Sequence, residues 1–276
     1  MKYCFIVVSL IFFLILAACV RPTPIPPPPS PEVVPPTAPT LPSVPPPTPE
    51  PMPTPTPTPT PAPTEETYNP IIDPADFVME IDNPYFPLKP GTTFIYQGET
   101  EEGVQRNEVV VTNQTKTILG VLTTVVWDRV WDEDDELVEE TYDWYAQDKD
   151  GNVWYFGEDS KEYESGVVVS TAGSWEAGVD GAKPGIIMEA DPQIGNSYRQ
   201  EYYEGKAEDM AEVLSLSETT SVPYGSFTDC LKTKEWTPLE PDVVAHKYYA
   251  PDVGFIMEIM VEGGTERVEL IDIKTE

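Results

Sequence analysis

Carboxylates are the most abundant side chains capable of acid–base chemistry in this 276-residue chain, which has 48 Asp and Glu, 16 Lys and Arg and a formal net charge of −32. A carboxylate pair hydrolyses glycosides or esters only where a cleft separates the two pKa values. Glu176 and Asp180 are the candidate catalytic pair, because they follow Trp175 in the Gly-rich stretch 173–185, which we expect to be a pocket-lining loop. A plain structural loop is the alternative.

Oxygen-bearing side chains also alternate around a glycine, in the sequence DKDGN over residues 148–152. Hard Ca²⁺ prefers such ligands, so Asp148, Asp150 and Asn152 are the candidate metal ligands. The segment resembles the opening of a calcium loop but lacks the full frame of that loop and its terminal bidentate Glu. An ordinary Asp-Gly hairpin explains the same residues and is favoured. We therefore expect no cofactor, and calcium is the only candidate.

Other reactive side chains are scarce. His246 is the only histidine, which excludes a His-rich metal site and makes any Ser–His–Asp triad depend on that one residue. We expect it to be a partly exposed residue of a strand. Cys230 needs a neighbouring base to act as a nucleophile, and we expect a half-buried strand thiol instead. The G-x-S-x-G, H-E-x-x-H, P-loop and G-x-G-x-x-G signatures are all absent from the sequence.

Aromatic residues are the candidates for ligand binding. In a predicted strand, Tyr142 and Trp144 point to one side and Tyr145 to the other, because side chains alternate along a strand. Aromatics on both faces suit either a sheet covered by core on each side or an apolar ligand cleft inside a half-open barrel. The candidate ligand-binding residues are Trp144, Trp154, Tyr155 and Trp175.

The N-terminal residues have the parts of an export signal: a basic residue at Lys2, an apolar run and small residues before Cys19. The sequence LAAC over 16–19 closely resembles the lipobox of bacterial lipoproteins, in which the cysteine is diacylated and becomes the first residue after cleavage. The resemblance implies a signal peptide over 1–18, lipidation of Cys19 and anchoring on the extracytoplasmic face of a bacterial membrane. An uncleaved transmembrane anchor over 3–20 is the alternative.

Residues 19–64 are predicted to be a lipid-anchored, disordered stalk, since positions 20–64 hold 22 of the 33 prolines. Such a segment cannot build a core and favours extended polyproline conformations. At about 3.1 Å per residue, it would reach roughly 140 Å, enough to hold a domain away from the membrane. Recognition of the proline-rich tract by an aromatic groove is the alternative role.

Residues 65–276 are predicted to be a single acidic globular domain, with 46 of the 48 acidic residues and all six tryptophans. This charge disfavours nucleic acid as a partner, because there is no basic surface to displace counterions from phosphates. We expect a monomer that touches the membrane through its N-terminal lipid and takes a small ligand or a cell-wall partner. With Cys4 removed and Cys19 acylated, no intrachain disulfide remains available to the mature chain.

The domain is predicted to be mainly β, because β-branched and aromatic runs are punctuated by Gly, Asn and Asp at short intervals. Hairpin loops are expected at 132–136, 149–152 and 263–264, which gives an antiparallel meander. Only 206–214 carries apolar residues at helical spacing. We predict a curved antiparallel sheet, or an open or partial barrel, with that one short helix. A two-sheet β-sandwich is the alternative.

Five segments of the domain resemble a family of uncharacterised secreted bacterial lipoproteins. They are 83–91 (NPYFPLKPG), 142–148 (YDWYAQD), 150–158 (DGNVWYFGE), 173–178 (GSWEAG) and 247–254 (KYYAPDVG). The resemblance covers most of residues 80–272. It implies an envelope lipoprotein and brings no activity and no catalytic residues with it.

The functional expectation is a non-enzymatic, lipid-anchored domain of the cell envelope that binds a small apolar or glycan ligand or an envelope partner. A carboxylate-dependent extracytoplasmic hydrolase is the second hypothesis, and a purely structural surface protein is the third. A deep pocket floored by Trp and Tyr favours the first, two carboxylates facing each other across it favour the second, and a closed surface favours the third.

Overall fold

Strands make up most of the part of the chain that the computed structural model describes, residues 68–101 and 103–275. The predicted signal peptide over 1–18, the lipidated Cys19 and the stalk over 19–64 lie outside the described residues. A short 3-10 helix, Pro74–Asp76, comes first. The strands that follow are β1 (Phe77–Val78), β2 (Thr92–Thr100), β3 (Gly103–Ile118), β4 (Val121–Trp131), β5 (Leu137–Asp148), β6 (Val153–Glu164), β7 (Val167–Ser170), β8 (Trp175–Glu176), β9 (Lys183–Met188), β10 (Ser197–Arg199), β11 (Glu201–Tyr202), β12 (Met210–Val222), β13 (Gly225–Trp236), β14 (Val244–Ala250), β15 (Gly254–Glu262) and β16 (Arg267–Thr275).

These strands form one antiparallel sheet that curls into a barrel-like shape. Two meanders, β2 to β6 and β12 to β16, lie side by side because β16 pairs with β2. The ends of the sheet are β10 and β11, which only Gln200 separates along the chain. One short stretch of chain therefore reaches both ends and nearly closes the sheet. This confirms the predicted curved antiparallel sheet and partial barrel rather than the sandwich.

Two glycines allow close approaches that shape the sheet. A Cβ at Gly185 would lie 2.3 Å from the backbone of Gln200, so only glycine lets β9 pass the point of closure. Gly157 has a φ of 123°, and a Cβ there would lie 2.2 Å from the carbonyl oxygen of Trp175. The register of β6 against β5 shifts close to Gly157. At this irregularity β8 pairs with the edge of β6.

The predicted helix over 206–214 is wrong. The amide of Ala207 donates to the carbonyl of Tyr203 in a turn, and β12 begins within the predicted range. Ala211 and Val213 are fully buried two positions apart, as alternation along a strand requires. Over so short a stretch the helical and strand periods share several positions, and pairing with β13 decides between them.

The loop predictions are confirmed in part. Loops 132–136, 149–152 and 263–264 lie where hairpins were expected, between consecutive strands. The stretch 173–185 is not a loop throughout, because it contains β8 and the start of β9, and both of these strands pair with β6. Their hydrogen bonds come from distant sequence, which no local pattern reveals.

The core lies mainly on β2 to β6 and β12 to β16. Side chains with no more than 2% exposure in it include Val111, Phe156, Leu231, Ile256 and Leu270. Within the described part of the chain, no helix has the length and apolar character needed to cross a bilayer.

Candidate functional site

The interior of the domain holds a cluster of ionisable side chains. Among the described residues, nine buried carboxyl groups share the interior with one buried lysine, Lys247. Buried ions are costly, so such groups persist only when they are paired, hydrogen-bonded or neutralised by protonation. The nine carboxyl groups belong to Asp128, Glu139, Asp143, Glu158, Glu201, Asp209, Glu235, Glu258 and Glu266.

Lys247, in β14, holds two of these carboxylates. Its Nζ lies 2.9 Å from Oε2 of Glu235 and 3.5 Å from Oε2 of Glu258. Burial alone would lower the pKa of Lys247, but the two carboxylates raise it, so the ammonium stays charged. The other oxygen of Glu235 accepts hydrogen bonds from Thr233 at 2.8 Å and from the Tyr249 hydroxyl at 3.0 Å. Donors on β13 and β14 therefore hold the Glu235 carboxylate in place beside Lys247.

A second polar group lies on β3 to β6. The hydroxyl of Tyr155 donates to Oδ1 of Asp143 at 2.8 Å, and the ring of Tyr145 stacks on Tyr155 at 4.9 Å between centroids. The side-chain amide of Asn107 donates to Oδ1 of Asp128. Burial raises the pKa of Asp128 well above its usual range, and the neighbouring Asp143 adds to the effect. These hydrogen bonds fix the orientation of both carboxyl groups.

Burial raises the pKa of several interior carboxyl groups. Burial raises the pKa of Glu139 to about 8, although a hydrogen bond from Thr141 acts against the shift. Burial raises the pKa of Asp209 to about 7, with Lys247 acting against it. The pKa of Glu201 lies well above its ordinary value because of burial and the neighbouring Asp209. Burial therefore favours the protonated form of these three groups.

A cavity of about 60 Å³ lies beside these groups, between an apolar wall and a polar end. The apolar wall includes Phe94, Val109, Val126, Ile187 and Phe255. The polar end includes Asp128, Asp143, Lys247 and Tyr249. The half-buried lining residues Phe86, Pro87 and Val253 mark the side on which the cavity meets solvent.

Residues 81–88, which we call the strap, cover that mouth. Oε1 of Gln147 accepts the backbone amides of Asp82 and Asn83 at 2.9 Å each. The side-chain amide of Asn83 donates to the carbonyls of Gly151 and Glu189 at 3.0 Å each. Side-chain amides therefore hold the strap in place, since it has no partner strand of its own.

Three of the five segments quoted for the family resemblance contain residues that line the cavity. Segment 83–91 provides most of the strap, 142–148 provides Asp143 and Tyr145, and 247–254 provides Lys247, Tyr249 and Val253. Segment 150–158 adds Tyr155, which binds Asp143. The fifth segment, 173–178, adds Trp175, whose ring packs edge-on against Tyr155 at 5.3 Å. Motifs far apart in sequence thus meet around one cavity.

The four predicted ligand-binding aromatics divide between two faces. Tyr155 and Trp175 are buried together in the interior, next to the cavity wall. Trp144 lies on the opposite face of β5, with Nζ of Lys116 3.2 Å from its ring centroid. The indole of Trp154 donates to Asp148 at 2.8 Å, also away from the cavity. The structure therefore brings together only two of the four.

The predicted carboxylate pair lies outside the interior. Glu176, in β8, forms a 2.7 Å ion pair with Lys116 and is partly exposed. Asp180 is exposed in the following turn, with a φ of 50°. Neither residue lines the cavity.

The predicted calcium ligands form a hairpin. The carboxylate of Asp148 accepts four hydrogen bonds: from the amides of Asp150 and Asn152, from the side chain of Asn152 and from the Trp154 indole. Within the described residues, no three His, Cys, Asp or Glu side chains are placed to hold a metal ion. The arrangement is that of a turn stabilised by its own aspartate.

The remaining reactive residues lie in strands. His246 is half-buried in β14, as expected, and burial together with Lys232 and Lys234 lowers its pKa. Cys230 is fully buried in β13 rather than half-buried, and burial raises the pKa of its thiol. Neither residue lines the cavity.

Sequence reasoning missed Lys247, Asp128 and Asp143, the groups at the polar end. One signal was present: Glu139, Thr141 and Asp143 alternate along β5, so they share a face, and all three are buried. A polar set at strand spacing is normally read as the solvent face, because the burial of carboxylates is rare. Only the tertiary structure shows which face is inside.

No family model matches the chain, and no curated protein matches it. Two solved structures resemble it in part. One is a presumed exported protein with a YmcC-like fold from Bacteroides fragilis, with 17% identity and a TM-score of 0.42 over 69% of this chain and 99% of that one. The other is a presumed lipoprotein from Parabacteroides distasonis, with 12% identity and a TM-score of 0.35 over 69% of this chain and 98% of that one.

Proposed function

We propose that the protein is a lipid-anchored, extracytoplasmic binding protein that holds a small, largely apolar molecule in the interior cavity. The observation that carries the proposal is the cavity itself, with an apolar wall, a polar end and a mouth under the strap. Sites for small molecules combine apolar walls with a few polar groups that fix orientation. The convergence of all five resemblance segments on this region supports the same role.

The cavity size favours an apolar group over a glycan. An engineered cavity of about 150 Å³ accommodates benzene, whereas this cavity measures about 60 Å³. It has room for the end of a chain and not for a sugar ring. The rest of the molecule would extend past Phe86 and Val253 towards solvent.

The envelope location rests on the N-terminal sequence. A basic residue, an apolar run and LAAC ending at Cys19 support export followed by acylation. In Cys19→Ser the hydroxyl cannot replace the thiolate that accepts the lipid, so labelled fatty acid should no longer be incorporated. Incorporation at the wild-type level would contradict lipidation at this residue.

The binding role is tested by native mass spectrometry of the full chain purified from its own host. Val253→Phe narrows the mouth, and Val261→Phe places the same ring at an exposed position outside the cavity. We expect a bound small molecule in the wild-type protein and in Val261→Phe, and its loss from Val253→Phe. An equal retained mass in all three proteins, or none in the wild type, would refute binding in the cavity.

A further inference from the structure

The hairpin formed by β6 and β7 presents a free sheet edge at the surface. Among the described residues, β7 pairs with β6 alone, so its other edge has no strand beside it. The exposures of Val167, Val168 and Val169 are 63%, 43% and 51%. Because consecutive residues of a strand point to opposite faces, valine is open to solvent on both faces of this hairpin.

An exposed edge of this composition is unusual in a folded domain. Edges are normally blunted by charged residues, proline or a bulge, because their free amides and carbonyls can pair with a further strand. The register of β7 against β6 shifts beside Val169, but β7 contains no charged residue and no proline. Valine is also a strong strand former. The edge is therefore suited to the addition of another strand.

The two faces of the hairpin differ in chemistry. Glu164 pairs with Val167, and paired residues of neighbouring strands share a face. Glu162 lies on the same face, since it is two positions away along β6. On the other face, Val168 pairs with the half-buried Tyr163. One face beside the free edge is thus acidic, and the other is apolar and aromatic.

Charge determines which segment fits this edge. Neighbouring strands lie about 4.8 Å apart, so a strand added beside β7 would lie about 10 Å from β6, within a Debye length of Glu162 and Glu164. The lysine of β6, Lys161, is engaged by Asp159 at 2.9 Å. The net charge of −32 attracts a cationic segment and opposes the approach of a second copy of the chain. Charge complementarity therefore favours a basic partner.

We propose that the free edge of β7 is a docking site for an extended basic segment of a partner protein, which adds one strand to the sheet. Alternate residues of that segment are lysine or arginine on the face of Glu162 and Glu164, and apolar on the face of Val168 and Tyr163. Backbone hydrogen bonds to β7 supply affinity, and the alternating side chains supply specificity. None of these four residues lines the cavity, so the proposal is independent of what the cavity holds.

Three capped peptides, KVKVKV, EVEVEV and KVKPKV, test the proposal when titrated into the purified full chain by calorimetry. We expect KVKVKV to bind about tenfold more tightly than either of the others, because EVEVEV reverses the charge and KVKPKV lacks a backbone donor. KVKVKV should also slow hydrogen exchange of the amides in 166–170. Equal binding of KVKVKV and EVEVEV would refute charge recognition, and equal binding of KVKVKV and KVKPKV would refute strand addition. Either result overturns the proposal.

Two lysine substitutions locate the binding. Val168→Lys adds a positive charge to the free edge, whereas Val261→Lys adds the same charge at a valine of 42% exposure in β15, which lies between β14 and β16 in the sheet. We expect Val168→Lys to lose KVKVKV binding and Val261→Lys to keep it. Equal binding by the two variants would place the peptide elsewhere and overturn the proposal.

Two further measurements separate the basic segment from other occupants. Glu162→Gln and Glu164→Gln should each weaken KVKVKV binding several-fold and reduce its dependence on salt, and unchanged affinity in both would contradict the role of the acidic face. Sedimentation of the chain without peptide should give a monomer. A dimer that Val168→Lys abolishes would assign the edge to a second copy and overturn the proposal.

Discussion

Strands β3 to β6 bury charged side chains on one face and leave charged side chains partly exposed on the other. Asp128 and Arg129 are neighbours in β4 and point to opposite sides. Asp128 is buried inside, whereas the Arg129 guanidinium lies 3.7 Å above the ring of Trp127 on the outer face. In β5, Asp143 is inside and Tyr142 outside, stacked on Trp127 at 5.9 Å with nearly parallel rings.

The outer face keeps its charges partly hydrated. Arg106 lies 4.0 Å from the ring centroid of Trp131, and the Trp127 indole donates to Glu140 at 3.0 Å. Cation–π contacts of this kind need little desolvation and contribute modestly at exposed sites. On the inner face, by contrast, Lys247 pairs with Glu235 and Glu258, and burial raises the pKa values of Asp128, Glu139 and Asp209. We therefore expect a charged or hydrogen-bonding side chain to contribute little to the free energy of unfolding on the outer face and much more on the inner face.

The largest difference in stability between the two faces is expected for substitutions of lysine. Lys247→Met removes the cation between Glu235 and Glu258 and should lower the free energy of unfolding by about 3–5 kcal/mol, because it leaves buried carboxylates without a counter-charge. Lys161→Met, on the outer face beside Asp159, should cost less than about 1 kcal/mol. Urea denaturation of both variants measures this. Equal decreases in the free energy of unfolding for the two variants would contradict a larger contribution from the buried lysine.

The pH dependence of stability should come from the inner face. The folded pKa values of about 8 for Glu139 and about 7 for Asp209 lie above the ordinary values of 4.5 and 3.8, so the folded state keeps protons that the unfolded chain releases. The stabilising contribution of these two groups is therefore complete below the ordinary pKa values and is lost as the pH rises through about 7 to 8. Each group contributes up to about 1.4 kcal/mol per pH unit within its window.

Two adjacent positions of β5 provide the test. Glu139→Gln should flatten the pH dependence between pH 5 and 8, whereas Glu140→Gln, on the outer face, should leave the slope unchanged. Denaturant unfolding at four pH values within this range measures the slope. The same slope in Glu139→Gln and the wild type would contradict the assignment.

A smaller difference is expected for two tyrosines. Tyr155→Phe removes the donor to Asp143 inside and should cost about 1–3 kcal/mol, because it deprives a buried carboxyl group of a hydrogen bond. Tyr142→Phe, on the outer face, should change stability by less than about 0.5 kcal/mol. Thermal and urea unfolding of the pair give the values. A larger loss of stability in Tyr142→Phe than in Tyr155→Phe would contradict the expected difference between the two faces.

The smallest effect concerns the hairpin at 148–152, on the outside of the sheet. Its Asp148 carboxylate already accepts four hydrogen bonds from the turn, so we expect calcium to act only by screening the net charge of −32. The melting temperature should rise equally in calcium chloride and in sodium chloride of the same ionic strength, for the wild type and for Asp150→Ala. A calcium increment confined to the wild type would instead establish a specific site.

Much of the fold was predictable because its hairpins are local. The turns at 132–136 and 149–152 carry residues that favour reversal of the chain, and alternation predicts the flanking strands. The error at 206–214 arose where a short stretch fits both periods, and the missed β9 depends on β6, a distant strand. The same limit applies to the site: the aromatic character of Tyr155 and Trp175 predicts their burial near a ligand site, whereas no local pattern distinguishes Lys247 from an exposed lysine.

The sequence by itself determined the β class, the antiparallel hairpins and the excess of acidic residues, because these follow from side-chain type and spacing within a few positions. Only the tertiary structure decided which face of each strand is inside. That choice depends on closure of the sheet at Gln200 and on the strap, both of which join residues far apart in the chain. Burial then sets the protonation of Glu139 and Asp209 and the pairing of Lys247, since desolvation acts only once the surrounding strands are in place.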